Sequence, residues 1–180
     1  PVDEITAEMS LTRGMHHISA LCSNLERTDQ FYRGILGLDM VKKSSNRENP
    51  EQPHWFWGVG DGRPGTLVTY FEENPRYTKQ ARLGIGQTHH FALAVVDEKS
   101  QRRGRERLLK AGYQVTPVID RRYFKSIYSN DPDGHIIELA TVEPGFLVDE
   151  EVNRLGEELK LPPWLEMYRK PIEKSLTPIS

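Results

Sequence analysis

Cysteine is nearly missing from this chain. Cys22 stands alone among 180 residues, so no disulfide forms within the chain, and the expectation is a reducing, cytoplasmic setting. No apolar run approaches the roughly 18 residues of a membrane-crossing helix, so no membrane is expected as a partner. Neither sign of charge dominates. Lys plus Arg is 24, Asp plus Glu is 26, and the formal charge is −2. Bulk charge therefore supplies no pull toward nucleic acid or an anionic surface. The opening stretch, 1–12, is acidic and lacks the basic-then-apolar pattern of a leader. Apolar residues make up 37%, a low share that still allows a core. The length fits one domain, or two small modules sharing one core.

What the chain does contain is a repeat. Met15-His16-His17-Ile18-Ser19-Ala20 returns as Thr88-His89-His90-Phe91-Ala92-Leu93, with His90 lying 73 residues after His17. Both segments read as short apolar strands opened by a His pair. A helix signal follows each. The first is capped by Ser23 or Asn24, runs over 25–36 and ends at Gly37; the second covers 98–111 and ends at Gly112. Three strands follow each helix, over 39–43, 54–59 and 66–71 in the first copy and 114–118, 126–129 and 135–141 in the second. The turns Asp61-Gly62-Arg63-Pro64-Gly65 and Asp131-Pro132-Asp133-Gly134 precede the last strand of each copy. Gly134 lies 69 residues after Gly65, and a longer loop over 44–53 in copy one absorbs the difference from 73. The fold class is therefore α+β: two βαβββ modules, 13–73 and 88–142, joined by a linker at 74–87 and forming a cupped mixed sheet. The tail, 143–180, predicts a helix near 150–160. Its Trp164, Leu165 and Met167 are too apolar for a free tail, so it packs on the domain or on a second chain, and a homodimer is expected.

One carboxylate falls inside a strongly apolar strand, Glu138 in Ile136-Ile137-Glu138-Leu139-Ala140. Burying an ionised Glu costs several kcal/mol unless something meets its charge. Strand alternation puts His17 with Ser19, His90 with Ala92, and Glu138 with Ile136 and Ala140 on common faces. If the two sheets pack as a pair, His17 faces His90 and Glu138. Two imidazoles and one carboxylate suit Fe(II), or Mn(II), and leave coordination positions open. The position matching Glu138 in copy one is Thr69, a poor ligand, so a four-ligand site is broken on one side. Plainer readings stand beside these. A His at a strand start is often a polar cap, and Glu138 has a structural ion pair with Arg121 or Arg122 open to it. His54, among Trp55, Phe56 and Trp57, reads as core or pocket wall; His135 reads as exposed; Tyr128 reads as core and Arg121 as surface.

These residues resemble the vicinal oxygen chelate superfamily, which includes glyoxalases, bleomycin-resistance proteins and extradiol dioxygenases. The resemblance rests on the His-His openings, Phe31-Tyr32 before Leu36-Gly37-Leu38, and Asp131-Pro132-Asp133-Gly134 leading to Glu138. Val41-Lys42-Lys43, Pro64-Gly65-Thr66 and Thr69 are similar to the opening module of ring-cleaving dioxygenases of the hydroquinone type. Thr116-Pro117-Val118, Asp120-Arg121, Ser126-Ile127-Tyr128, Pro144-Gly145-Phe146 and Leu161-Pro162-Pro163-Trp164 are similar to their closing module and tail. Those enzymes usually carry four modules; here two are present, resembling the first and the last.

The resemblance implies His17, His90 and Glu138 as metal ligands, Fe(II) or another divalent metal as cofactor, and a small phenolic substrate with O2. It further implies Arg121 and Tyr128 as substrate contacts, with His16 and His89 near the site, although simple alternation turns those two away from the metal face. Rival readings are a glyoxalase-like isomerase or lyase, which would want the fourth ligand, a metal-free drug-binding protein, and a non-catalytic relic of a larger enzyme.

Overall fold

A computed structural model describes residues 12, 14–76, 81–154 and 156–176. Residues 77–80 of the expected linker lie outside the described residues. Strand β1 (His17–Cys22) leads into helix α1 (Leu25–Asp29), which continues as π-helical turns over Gln30–Ile35. Strands β2 (Asp39–Ser45), β3 (Pro53–Gly58) and β4 (Leu67–Glu72) complete the first unit. Strand β5 (Phe91–Val95), helix α2 (Glu98–Lys110), and strands β6 (Ile119–Asp120), β7 (Lys125–Asn130) and β8 (Ile136–Thr141) repeat the plan. The sheets have the matching orders β1-β4-β3-β2 and β5-β8-β7-β6. In each, the first strand runs parallel to the last, and the remaining pairs are antiparallel.

Local chemistry explains the starts and stops. The Asn24 side chain accepts from Arg27 N–H and caps α1; the Asp97 side chain accepts from Ser100 N–H and caps α2. The π turns close through Leu36 N–H to Phe31 O, and Leu38 N–H to Tyr32 O ties down the end that follows. The wider turn brings the consecutive rings of Phe31 and Tyr32 into the core together, at 1% and 0% exposure. The strand expected over 114–118 reduces to a single bridge between Val115 and Ser129, followed by the two-residue β6. Pro117 has no N–H to give a ladder, which interrupts the pairing. Among the described residues the tail helix expected near 150–160 does not form. Short 3-10 turns at Phe146–Val148, Val152–Arg154 and Pro163–Tyr168 take its place, with Gly156 left-handed between them, and a helix α3 forms only at Arg169–Ser175. Among the described residues no helix is long and apolar enough to cross a membrane.

One apolar cluster serves both units. Leu25, Phe31, Tyr32, Trp57, Val68 and Tyr70 join Phe91, Leu108, Ile127, Ile137 and Leu139 in it. Helix α2 lies so close on β8 that a Cβ on Gly104 would come within 2.8 Å of Leu139 Cδ1. A glycine at that point of the helix lets the sheet that carries Glu138 be covered tightly.

The units are also tied by one buried carboxylate. Asp131, 5% exposed, sits in the Asp-Pro-Asp-Gly turn of the second unit. It accepts from the hydroxyls of Tyr70 at 2.8 Å and Tyr32 at 3.2 Å, both from the first. Its own side receives the backbone N–H groups of Asp133 and His135 and the His135 ring at 3.1 Å. His135, expected to be exposed, is thus drawn inward by an ion pair. Burial pushes the Asp131 carboxyl up, but the bonds from His135 and Tyr70 outweigh it and hold it below the usual range. Burial pushes His135 down, and Asp131 outweighs that and raises it.

Replacing Asp131 with Ala leaves the Tyr32–Tyr70 hydroxyl pair, 2.6 Å apart, without its buried acceptor and is expected to cost about 3 kcal/mol or more, read by urea unfolding. The pH dependence has two limbs. His135, with its raised folded value, contributes fully below its ordinary 6.5 and loses that contribution as pH rises through the folded value. Asp131, with its lowered value, contributes fully above its ordinary 3.8 and loses it as pH falls. His135→Gln is expected to flatten the alkaline limb of the urea midpoint and leave the acid limb in place; an unchanged alkaline limb would show the pair has no such part.

Candidate functional site

Glu138 lies in the middle of the second sheet, in register with Ala92 of β5 on one side and Tyr128 of β7 on the other. Ile137 and Leu139 point to the core, so Glu138 points to the opposite face. Its side chain is nevertheless 4% exposed. Two groups meet the charge. His90 Nε2 stands 2.8 Å from Glu138 Oε2, and Ser126 Oγ donates to Glu138 Oε1. Arg121 and Arg122 do not pair with it. Arg122 instead reaches Asp149 of the tail at 2.6 Å.

The strand β5 begins at Phe91, so His89 and His90 precede it and escape simple alternation. Their Nδ1 atoms are 2.8 Å apart, with the rings edge-on at 83°. One ring donates and the other accepts there, which fixes how His90 presents Nε2. Tyr128 meets the His90 ring edge-on at 5.6 Å, and Arg121 donates to the Tyr128 hydroxyl at 3.3 Å. The bend that presents Arg121 has Arg122 left-handed, with φ 71°. The structure thus brings together His89, His90, Glu138, Tyr128 and Arg121. Ser126 was missed by sequence reasoning. It alternates with Tyr128 on the face of Glu138, and that pattern would have found it.

The first sheet carries the counterpart. His16 and His17 repeat the Nδ1 contact at 2.9 Å and the edge-on rings at 84°. In the register of Glu138 stands Thr69, between Ser19 and Phe56. Thr69 is fully buried and bonds to Ser19 Oγ at 2.8 Å and His54 Nε2 at 2.9 Å. His54 is half-buried and stacked on Phe71 at 3.6 Å. Burial, and then the charge of nearby His17, hold its imidazole below the usual range.

The two halves stay apart within one chain. Among the described residues no three His, Cys, Asp or Glu side chains are grouped to hold a metal ion. His17 is therefore not with His90 and Glu138, as pairing of the two sheets in one chain required. Each sheet is a four-stranded ladder of its own, and among the described residues β1 and β5 are not paired with each other. The donor types of His90 and Glu138 suit a divalent ion of the Fe(II) or Mn(II) kind, but one chain supplies only two of the three. A cleft of about 590 Å³ lies at the junction by Arg27, Phe91 and Asp133, and Glu138 does not line it. A smaller one, of about 220 Å³, reaches His89 and His90 and is the one that bears on this chemistry.

Residues 14–139 match the model of the Glyoxalase/Bleomycin resistance protein/Dioxygenase superfamily. A Bacillus subtilis protein named "Putative ring-cleaving dioxygenase MhqA" is 37% identical over 120 residues, 67% of this chain and 37% of its own length. The chlorohydroquinone/hydroquinone 1,2-dioxygenase of Sphingobium indicum is 35% identical over 157 residues, 86% of this chain and 46% of its own. The chain spans less than half the length of both relatives. A glyoxylase/bleomycin resistance protein/dioxygenase domain from Frankia sp. EAN1pec has the same fold, with a TM-score of 0.63 at 19% identity, over 74% of this chain and all of that one. With its repeated strand order and these matches, the chain belongs to the glyoxalase/bleomycin resistance protein/dioxygenase superfamily.

Proposed function

We propose that this chain is a subunit of an Fe(II)-dependent ring-cleaving dioxygenase that acts on a small phenol with O2. The observation that carries the reading is the asymmetry of the two modules. Glu138 stands beside His90 in one, and Thr69 holds the matching place in the other. A set of two imidazoles and one carboxylate leaves room for substrate and oxygen, whereas a second carboxylate as fourth ligand would close it. His17, the third ligand of this reading, comes from the partner subunit of a homodimer, because one chain holds it away from the other two. The modules are taken as 13–73 and 88–142. The similarity to the hydroquinone dioxygenase of Sphingobium indicum supports the substrate class.

A ferrous ion, when bound, supplies the redox centre that lets oxygen react with a closed-shell ring. The chain's residues do the rest. Ser126 occupies one oxygen of Glu138 and keeps the carboxylate in place. His89 fixes the orientation of His90, and His16 does the same for His17. Tyr128 gives or takes the phenolic proton, a step typically worth about 10²- to 10⁴-fold. Arg121, whose guanidinium lies by the Tyr128 hydroxyl, offsets negative charge on the ring.

Anaerobic loading with Fe(II) is expected to leave about one iron per chain, with oxygen uptake on a panel of phenols. Glu138→Ala is expected to lose that iron; full iron retention would remove Glu138 from the ligand set. The shared site has its own test. His17→Ala and Glu138→Ala copies are each inactive, and refolding them together restores about a quarter of the uptake, since half the dimers are mixed and each carries one intact site. An active parent with a silent mixture would place all three ligands elsewhere than across two subunits.

A further inference from the structure

Arg121 opens the bend that joins β6 to β7, and the three residues after it are held by the tail. Arg121 N–H donates to Phe124 O at 2.9 Å and closes the bend. Within it Arg122 has φ 71°, the one non-glycine residue of positive φ among the described residues. A Cβ crowds the backbone in that region, so a side-chain-bearing residue stays there only where its surroundings hold it. One hold is local, from Arg122 N–H to Asp120 Oδ1 at 2.7 Å. The others come from the tail. Arg122 Nη2 meets Asp149 Oδ2 at 2.6 Å, and Gly145 N–H donates to Tyr123 O at 2.7 Å. The Phe146 ring lies against Tyr123 and Phe124, with centroids 5.3 and 6.0 Å away.

Asp149 is the charged part of this hold. Its side chain is 12% exposed, and among the described residues neither of its oxygens accepts a hydrogen bond. Lys160 stands 3.8 Å from the oxygen that Arg122 meets at 2.6 Å. A carboxylate so placed is committed to its cations. Arg122 is 54% exposed, so the pair adds little to the stability of the whole chain. Its effect is local. Whether residue 122 stays left-handed decides which way the residue before it points. That residue, Arg121, donates to the Tyr128 hydroxyl at 3.3 Å, with its guanidinium carbon 5.7 Å from the ring centroid. A contact that long is weak, and it survives only while the backbone aims the side chain.

We propose that Asp149, by holding Arg122 left-handed, aims Arg121 at the Tyr128 hydroxyl. Asp149 and Arg122 are positioning residues that act through Arg121. The inference deepens the dioxygenase reading and rests on it for what Arg121 and Tyr128 do with a substrate; the aim itself belongs to the fold.

Fluorine NMR of the full chain made with 3-fluorotyrosine, without added metal, reads the contact directly. The Tyr128 signal is identified by its loss in Tyr128→Phe. Arg121→Gln is expected to move that signal, and Asp149→Ala and Arg122→Ala to move it toward the same place. Arg122→Gly is expected to leave it near the parent position, because glycine takes a left-handed φ without being held. Asp149→Ala added to Arg122→Gly then changes nothing further. Circular dichroism checks that each variant keeps the fold. A pair that merely fastens the tail does not distinguish alanine from glycine at 122, so equal signals from those two variants overturn the aim. A Tyr128 signal that ignores Asp149→Ala overturns it too. Oxygen uptake by iron-loaded samples gives a second arm. Arg121→Gln and Asp149→Ala are each expected to lose about tenfold in kcat/KM, and the double variant no more than either. Losses that multiply place Asp149 on a separate route and overturn the aim. A parent chain that takes iron and consumes no oxygen defeats the dioxygenase reading, and the fluorine signals still decide the aim.

Discussion

A carboxylate taken out of water has to be met by donors, and two such groups organise this molecule. Asp131 is met across the junction by tyrosines of the other module and by its own turn. That single acceptor couples a Tyr pair, a His and a tight turn, so the modules are fixed to each other by charge as well as by their shared apolar cluster. Glu138 is met by one imidazole and one hydroxyl on the sheet face away from the core. The first carboxylate has many donors and a structural part. The second has few, and an ion would complete its surroundings.

The two modules share a backbone and differ in what they bury. Their strand orders and registers coincide, so Thr69 and Glu138 are equivalent by pairing as well as by counting. A carboxylate needs a cation or several donors; a hydroxyl needs only one partner on each side. Exchange of Glu for Thr therefore demanded no new charge, and His54 and Ser19 satisfy Thr69 with neutral bonds. The carboxylate module supplies two donors for a metal, and the hydroxyl module keeps its His pair beside a purely hydrogen-bonded line.

Much of this was legible in the chain. The His pairs located both parallel strands, and alternation sent Ile18, Ala20 and Cys22 to the core side and Ser19 to the other. The mismatch between the offsets of 73 and 69 was assigned to the 44–53 loop, but Phe56 and Tyr128, matched by register, stand 72 apart, so three of the four extra residues lie in the β3–β4 connection. Other features were hidden for physical reasons. The π turns depend on two neighbouring rings competing for one core. The loss of the strand near Pro117 depends on one missing N–H. His135 is pulled inward by a carboxylate that a turn motif does not advertise. The separation of His17 from His90 was out of reach for another reason: periodicity assigns a side chain to a face, but not one face to another.

That last point bears on how the two halves of the proposed ligand set can meet. In each sheet one edge is the strand at a His pair, β1 beginning on His17 and β5 just after His90. An unpaired strand edge is a surface that other strands can cover, and the tail adds exposed Trp164, Met167 and Phe146. Here a second copy is the source the proposed ligand set calls for, since it brings its own His17 along with its own open edge. A symmetric pair would then satisfy two demands by one association, covering apolar and backbone surface while completing the donor set around Glu138. In that arrangement the chemistry belongs to the dimer, and the fold of a single chain sets only which half of each site it contributes.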